Sequence, residues 1–239
     1  MVFSRFFRPR LSSPMRGNDS VERFNHILMI ANRIYETNKA GLPDLVRALM
    51  RPLESELILA VVERGQDAAQ AVSIFDFFFD GLDNHLFLHG EFRGIEMPAD
   101  QFPLELGSDV ILPCPWDVER YIASISWIGG DKTASHSPSR LRESRWRQDL
   151  NHSICLWLPW RIAFVSGGNH SIAAGILASD GVVVPDRVYD MGFLLDDISC
   201  DGNVFLEQVS GLPIAPIKDV RRAAVFEIGR LLRPPATQD

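Results

Sequence analysis

The sequence predicts an α+β fold on three observations. Up to Gly81 the apolar residues recur at the spacing of amphipathic helices. After Gly107 they gather in short runs bounded by glycine and proline, as strands buried on both faces do. The pair Gly167-Gly168 then separates a nearly continuous apolar run from a small-residue stretch that reads as a helix. These features divide the chain into a flexible basic arm over residues 1–17, a mainly helical extension over 18–107 and an α/β domain over 108–239. The last is expected to be a mixed sheet with helices packed against it.

Asp19 followed by Glu22 makes a capping-box-like start, with Val21, Phe24, Ile27, Leu28, Ile34 and Tyr35 at helical spacing behind it. Leu42-Pro43-Asp44 opens a second helix carrying Leu45, Val46, Leu49 and Met50. Pro52 is expected to break or kink that helix before Leu53–Arg64 continues to a stop at Gly65. Asp67–Asp80 reads as a third helical segment. It ends in Phe75, Phe77, Phe78 and Phe79, rings expected to plug the helical part onto the domain that follows. Gly81–Gly107 is rich in turns, with Leu86–Leu88 a short strand.

Val110–Leu112 is a strand ended by Pro113-Cys114-Pro115. Asp117 caps a helix with Val118, Tyr121, Ile122, Ile125 and Ile128, closed at Gly129-Gly130, and Trp116 with Tyr121 take the positions of a hydrophobic staple. The polar connection 130–151 holds Lys132, Ser135, His136, Ser137 and Ser139; its length suits a lid, a binding loop or disorder. Ile154–Leu158 and Trp160–Val165 are strands with a bend at Pro159. Strands at Val182–Val184 and Val204–Gln208, a helix at Val220–Leu232 and a loose tail from Arg233 complete the chain.

Composition removes several classes. A chain of 239 residues that is 46% hydrophobic can bury a sizeable core. A formal charge of −7 opposes broad nucleic-acid binding and leaves DNA an open question. The densest basic run is Arg140, Arg142, Arg145 and Arg147; on a helix these fall on two faces, so the run reads as a solvated surface. No apolar run approaches the roughly 20 residues that cross a bilayer. The arm, with Arg5, Arg8, Arg10 and Arg16, lacks the pattern of a secretory signal, so a cytoplasmic location with no membrane contact is expected. Cys114, Cys155 and Cys200 are dispersed and odd in number, which suits reduced thiols.

The segment Phe164–Ala174 carries the chemistry. A strand enters a glycine turn and a helix begins at once, so unpaired N–H groups and a positive dipole end favour phosphate or carboxylate. Gly167, Gly168 and Asn169 are the expected cradle, with Asn169 also placed to cap the helix by accepting from Ser171 or Ile172. His170 is the candidate acid or charge stabiliser and Ser171 a hydroxyl contact. Asp117 is a second candidate catalytic group, and Arg120 and His152 are candidate ligand contacts. Asp190, Asp196, Asp197 and Asp201 read as a solvated loop, with magnesium-nucleotide binding as the alternative. His26, His85 and His89 read as structural. No metal-ligand spacing, G-x-S-x-G elbow, Walker loop or H-E-x-x-H is present.

Gly167-Gly168-Asn169-His170-Ser171 resembles the G-G-C-H-R signature of the ParB N-terminal domain and sulfiredoxin superfamily at three of five positions. Val110–Ile128 stands where that fold has its opening strand and helix, so the resemblance spans Val110–Val184. It implies a ParB/sulfiredoxin-like mixed sheet. Asn169 stands where sulfiredoxins carry their catalytic cysteine, and the nucleotide-holding arginines of ParB are missing; the anion-binding turn and its histidine remain. The superfamily includes nucleases, nucleotide-dependent kinases and modules of mobile-element and phage-defence systems. The resemblance therefore implies a bacterial protein that binds a nucleotide or phosphate ester, with magnesium as companion ion, for phosphoryl transfer or phosphodiester hydrolysis. The alternative is a non-catalytic DNA- or protein-binding module, with the helical N-terminal part as the protein-facing surface.

Overall fold

The computed structural model describes residues 17–66, 70–129, 132 and 145–233. The arm over 1–16, Asp67, the loop residues Ser135, His136, Ser137, Ser139, Arg140 and Arg142, and the tail beyond Arg233 lie outside them. The fold is α+β, as the sequence predicts. Helix α1 spans Gly17–Asn38, with Asp19 inside its first turn rather than at the cap. A short 3-10 turn, Lys39–Gly41, leads into α2, Leu42–Arg64.

Pro52 does not break α2, which runs through it. The buried face continues on both sides, from Val46 and Met50 to Leu57, Ile58 and Val61. Each such side chain contributes about 1.5–3 kcal/mol on burial, so together they outweigh the ~3 kcal/mol that an interior proline costs. Arg47 and Arg51 both donate to the Gly107 carbonyl, which ties α2 to the start of the sheet.

The expected third helix is instead a 3-10 turn, Ile74–Asp76, capped by Ser73, with Phe77–Phe79 following in irregular backbone. All three rings are buried, whereas Phe75 is exposed. Phe77 meets Phe164 at 5.0 Å, Phe78 meets Trp160 at 4.8 Å, and Phe79 meets Phe205 at 4.6 Å. Three consecutive helical residues fan over roughly 200°, so a helix would turn one ring away from the core.

The next elements are α3 (Asp83–Leu86), β1 (Phe87–Leu88), β2 (Glu91–Phe92), β3 (Ile95–Met97), β4 (Leu104–Glu105), β5 (Val110–Leu112) and α4 (Val118–Trp127). There follow β6 (Ser153–Leu158), β7 (Ile162–Gly167), α5 (Asn169–Ala178), β8 (Val182–Val183) and β9 (Arg187–Asp190). The chain ends with α6 (Phe193–Asp197), β10 (Ile198–Cys200), β11 (Val204–Glu207), β12 (Pro213–Pro216) and α7 (Val220–Leu232). The main sheet has the order β3-β9-β6-β7-β5. It is mixed: β5 runs parallel to β7 and β6 parallel to β9, while β6–β7 and β3–β9 are antiparallel.

Alternation along the strands splits the core in two. Val110, Leu112, Ile162 and Phe164 face a cluster built with α1, α2 and α7. Ile111, Ala163 and Val165 face another, with Tyr121 of α4 and Ile172 of α5. Trp160, turned out of the β6–β7 hairpin, is buried in the first cluster and donates to the Phe226 carbonyl at 3.0 Å. A side chain on Gly229 of α7 would overlap that indole. Gly229→Ala should therefore destabilise the fold by about 1–3 kcal/mol, seen as a lower urea midpoint at unchanged slope. Leu150→Ala, at a fully exposed position, should stay within about 0.5 kcal/mol of the parent.

Candidate functional site

β7 ends at Gly167, Gly168 takes the left-handed conformation (φ 75°, ψ 19°), and α5 starts at Asn169. The sequence suggests that these glycines expose main chain to a ligand. The space is filled instead. A side chain on Gly167 would strike the Asn151 carbonyl, and one on Gly168 would overlap the His152 ring. The glycines let His152 pack under the turn.

Asn169 is not the cap. It is the first helical residue, and its Oδ1 accepts from the Cys114 N–H at 2.7 Å. His170, expected at the rim, is buried, and its Nε2 accepts from Asp117 N–H at 3.0 Å and Trp116 N–H at 3.3 Å. The reason lies in the opposite segment. In Pro113-Cys114-Pro115-Trp116-Asp117 the prolines carry no N–H, and Asn169 and His170 accept from all three donors that remain. An Nε2 that accepts leaves the His170 proton on Nδ1. Burial pulls the pKa of His170 below its ordinary value, with the nearby Asp117 charge opposing.

Asp117 caps α4 as predicted, its Oδ1 accepting from Arg120 N–H at 2.8 Å. The Arg120 guanidinium lies 5.8 Å from the Trp116 ring centre, and Trp116 packs edge-on against His170. The structure thus brings Asp117, Arg120, Asn169 and His170 together.

His152 belongs to a different set. Its Nε2 lies 2.6 Å from Ser171 Oγ, and its Nδ1 lies 2.9 Å from Asp149 Oδ1. Those are the distances of a Ser-His-Asp triad. Nδ1 also meets the Asp149 N–H at 2.8 Å and the Asp149 carbonyl at 3.2 Å, so the donor and acceptor roles of the two ring nitrogens follow the tautomer. Ser171 Oγ in turn donates to the Gly168 carbonyl at 3.1 Å. The hydroxyl is held between the His152 ring and the Gly168 carbonyl. Sequence reasoning missed Asp149 and also Trp146, whose ring covers His152 at 4.9 Å; the Asn151-His152-Ser153 echo of Asn169-His170-Ser171 was the available signal. The two imidazoles face separate partners and do not converge on one point.

One feature of α5 remains open. Helices α4 and α7 are each capped by an aspartate, whereas α5 has no side-chain cap and no acid in its first turn. Asn169 and Ser171, the residues able to cap it, are bonded elsewhere. Among the described residues no acceptor meets the N–H groups of Asn169, His170 and Ser171.

The acidic loop is dispersed: Asp196 pairs with Arg233, Asp197 with Arg93, and Asp190 and Asp201 accept from nearby backbone. No group of three or more His, Cys, Asp or Glu that could hold a metal occurs among the described residues. Cys114, Cys155 and Cys200 are free thiols, and burial pushes Cys155 up to about 11 and Cys200 to about 12.

Fold and site together define an α+β protein organised around a clamped strand–glycine–helix turn. The chain belongs to a family of unknown function, DUF6710, which matches residues 11–238. No curated protein and no solved structure matches it. Among the described residues no helix is long and apolar enough to cross a membrane.

The His170 bonds set a pH dependence. The folded state prefers the neutral ring, so its contribution is complete above the ordinary histidine value of 6.5 and is lost as pH falls from there through the lowered folded value. Half-buried His85 acts in the same sense. Urea melts from about pH 7.5 to about pH 5 should show falling stability, with a shallower fall in His170→Gln. An identical slope in the two proteins would remove His170 from the account.

Proposed function

We propose that this protein binds a nucleotide or another phosphate ester at the start of α5. The observation that carries the reading is the diversion of both capping side chains, Asn169 and Ser171. It leaves three N–H groups and the positive helix end to an external anion. Arg120, exposed and near enough to act on the His170 charge, supplies a cation. The resemblance of Val110–Val184 to the ParB N-terminal domain and sulfiredoxin superfamily supports the same ligand class.

In this reading the amides of Asn169, His170 and Ser171 hold phosphate, and magnesium arrives with the nucleotide. His170 is a positioning residue that fixes the Asp117–Arg120 end of α4. Gly167 and Gly168 admit His152, which buttresses the turn. Phosphoryl transfer or phosphodiester hydrolysis in a bacterial mobile-element or phage-defence system is the reaction class that follows from the resemblance. A non-catalytic DNA- or protein-binding module is the second reading. It is favoured by one observation: the Nε2 atoms of His152 and His170 are both engaged, so neither offers a free base.

Calorimetric titration with ATP, CTP, GTP and inorganic phosphate, with and without magnesium, tests the proposal. Binding should weaken about tenfold or more in Arg120→Gln, the loss expected for one charge-assisted contact. Turnover alongside binding selects the enzyme, and binding without turnover selects the module. If no nucleotide and no phosphate binds at concentrations on the order of millimolar, the reading fails.

A further inference from the structure

We infer that the chain has a ligand site separate from the α5 turn, a sheet-face cavity that takes a small planar aromatic molecule carrying an anionic group. The cavity measures about 420 Å³, within the range of small-molecule sites. Its floor is one face of the main sheet. Ser153 and Cys155 alternate along β6, and Arg187 and Tyr189 along β9, with Cys155 opposite Arg187 and Trp157 opposite Tyr189 in the register. The β1–β2 hairpin and the Ile74–Asp76 turn wall it.

The ring specificity comes from the walls. Phe75, Phe87, Phe92 and Tyr189 form a continuous series, with centroids 6.5, 5.6 and 4.8 Å apart in that order. Phe77–Phe79 nearby are wholly buried, but Phe75 is 46% and Phe87 41% exposed, so ring surface is left at the mouth of the cavity. A planar ligand gains stacking and edge contacts there that an aliphatic one does not.

The charge specificity comes from Arg187. It is the one charged residue among the described residues that line the cavity, and it is exposed. Arg51, Arg93, Arg161, Arg230 and Arg233 each have a carboxylate partner; Arg187 has none among the described residues. The adjacent Cys155 thiol stays protonated because burial raises its pKa, so no negative charge on the floor competes for the guanidinium. Ser153 and Ser166 add hydroxyls to the lining. Rings and one unpaired planar cation define a ring anion, such as an aromatic carboxylate.

The test uses the whole chain and four probes: salicylate and indole-3-carboxylate as ring anions, indole as a neutral ring, and acetate as an anion without a ring. Calorimetry should show saturable binding of a ring anion, with indole and acetate each weaker by about tenfold or more. Amide shifts in nitrogen-edited spectra should fall at Ser153, Cys155, Ser166 and Arg187. Arg187→Gln and Phe87→Ala should each weaken binding about tenfold, with melting temperature as the folding control, while Arg120→Gln at the α5 turn leaves it unchanged. No saturable binding of either carboxylate, or binding that survives Arg187→Gln in a folded variant, overturns the inference. A carboxylate held at α5 instead would be weakened by Arg120→Gln and not by Arg187→Gln, so the two variants tell the two sites apart.

Discussion

Two side chains fix the connection between β5 and α4 against the start of α5: the Asn169 amide and the His170 imidazole, both accepting from its backbone. β5 leaves the sheet at Leu112, and the five residues that follow have no strand to pair with. Two are prolines, and the three N–H groups that remain go to Asn169 and His170. An unmet buried donor costs about 1–3 kcal/mol; buried Cys114 carries that cost, and the half-buried Asp117 and exposed Trp116 donors add less. The clamp also sets where α4 begins, because the Asp117 N–H bound by His170 belongs to the residue whose carboxylate caps the helix.

The α5 turn is held from below as well. Gly168 is a glycine twice over: its φ is positive, and the His152 ring occupies the volume its side chain would need. Trp146 packs on that ring, and Ser171 Oγ lies 2.6 Å from its Nε2. With Asn169 and His170 facing one way and Ser171 the other, no side chain is left to cap α5. The uncapped helix start is thus a consequence of how the turn is braced, and the phosphate proposal rests on it.

Much of the fold was legible because its signals are local. The 3.6-residue period of α1 and α2, the Asp117 cap, the apolar runs of β5, β6 and β7 and the glycine stop before α5 all lie within a few residues of what they specify. Non-local effects escaped. Pro52 reads as a breaker until the continuous buried face of α2 is set against it. Ile95–Met97 and Arg187–Asp190 give no strand signal, being short and part polar, yet they pair with each other and β9 joins β6. At the candidate site the residue list was readable and the roles were not. Asn169 and His170 find their partners 53 to 55 residues earlier in the chain, and no spacing rule exposes an acceptor of that kind.

Amide hydrogen exchange at Cys114, Trp116 and Asp117 tests the clamp most directly, since each side chain is assigned particular donors. In the parent protein all three amides should be protected. Asn169→Ala should release Cys114 while Trp116 and Asp117 stay slow, and His170→Ala should release Trp116 and Asp117 while Cys114 stays slow. Unchanged protection at all three amides in both variants would contradict the account.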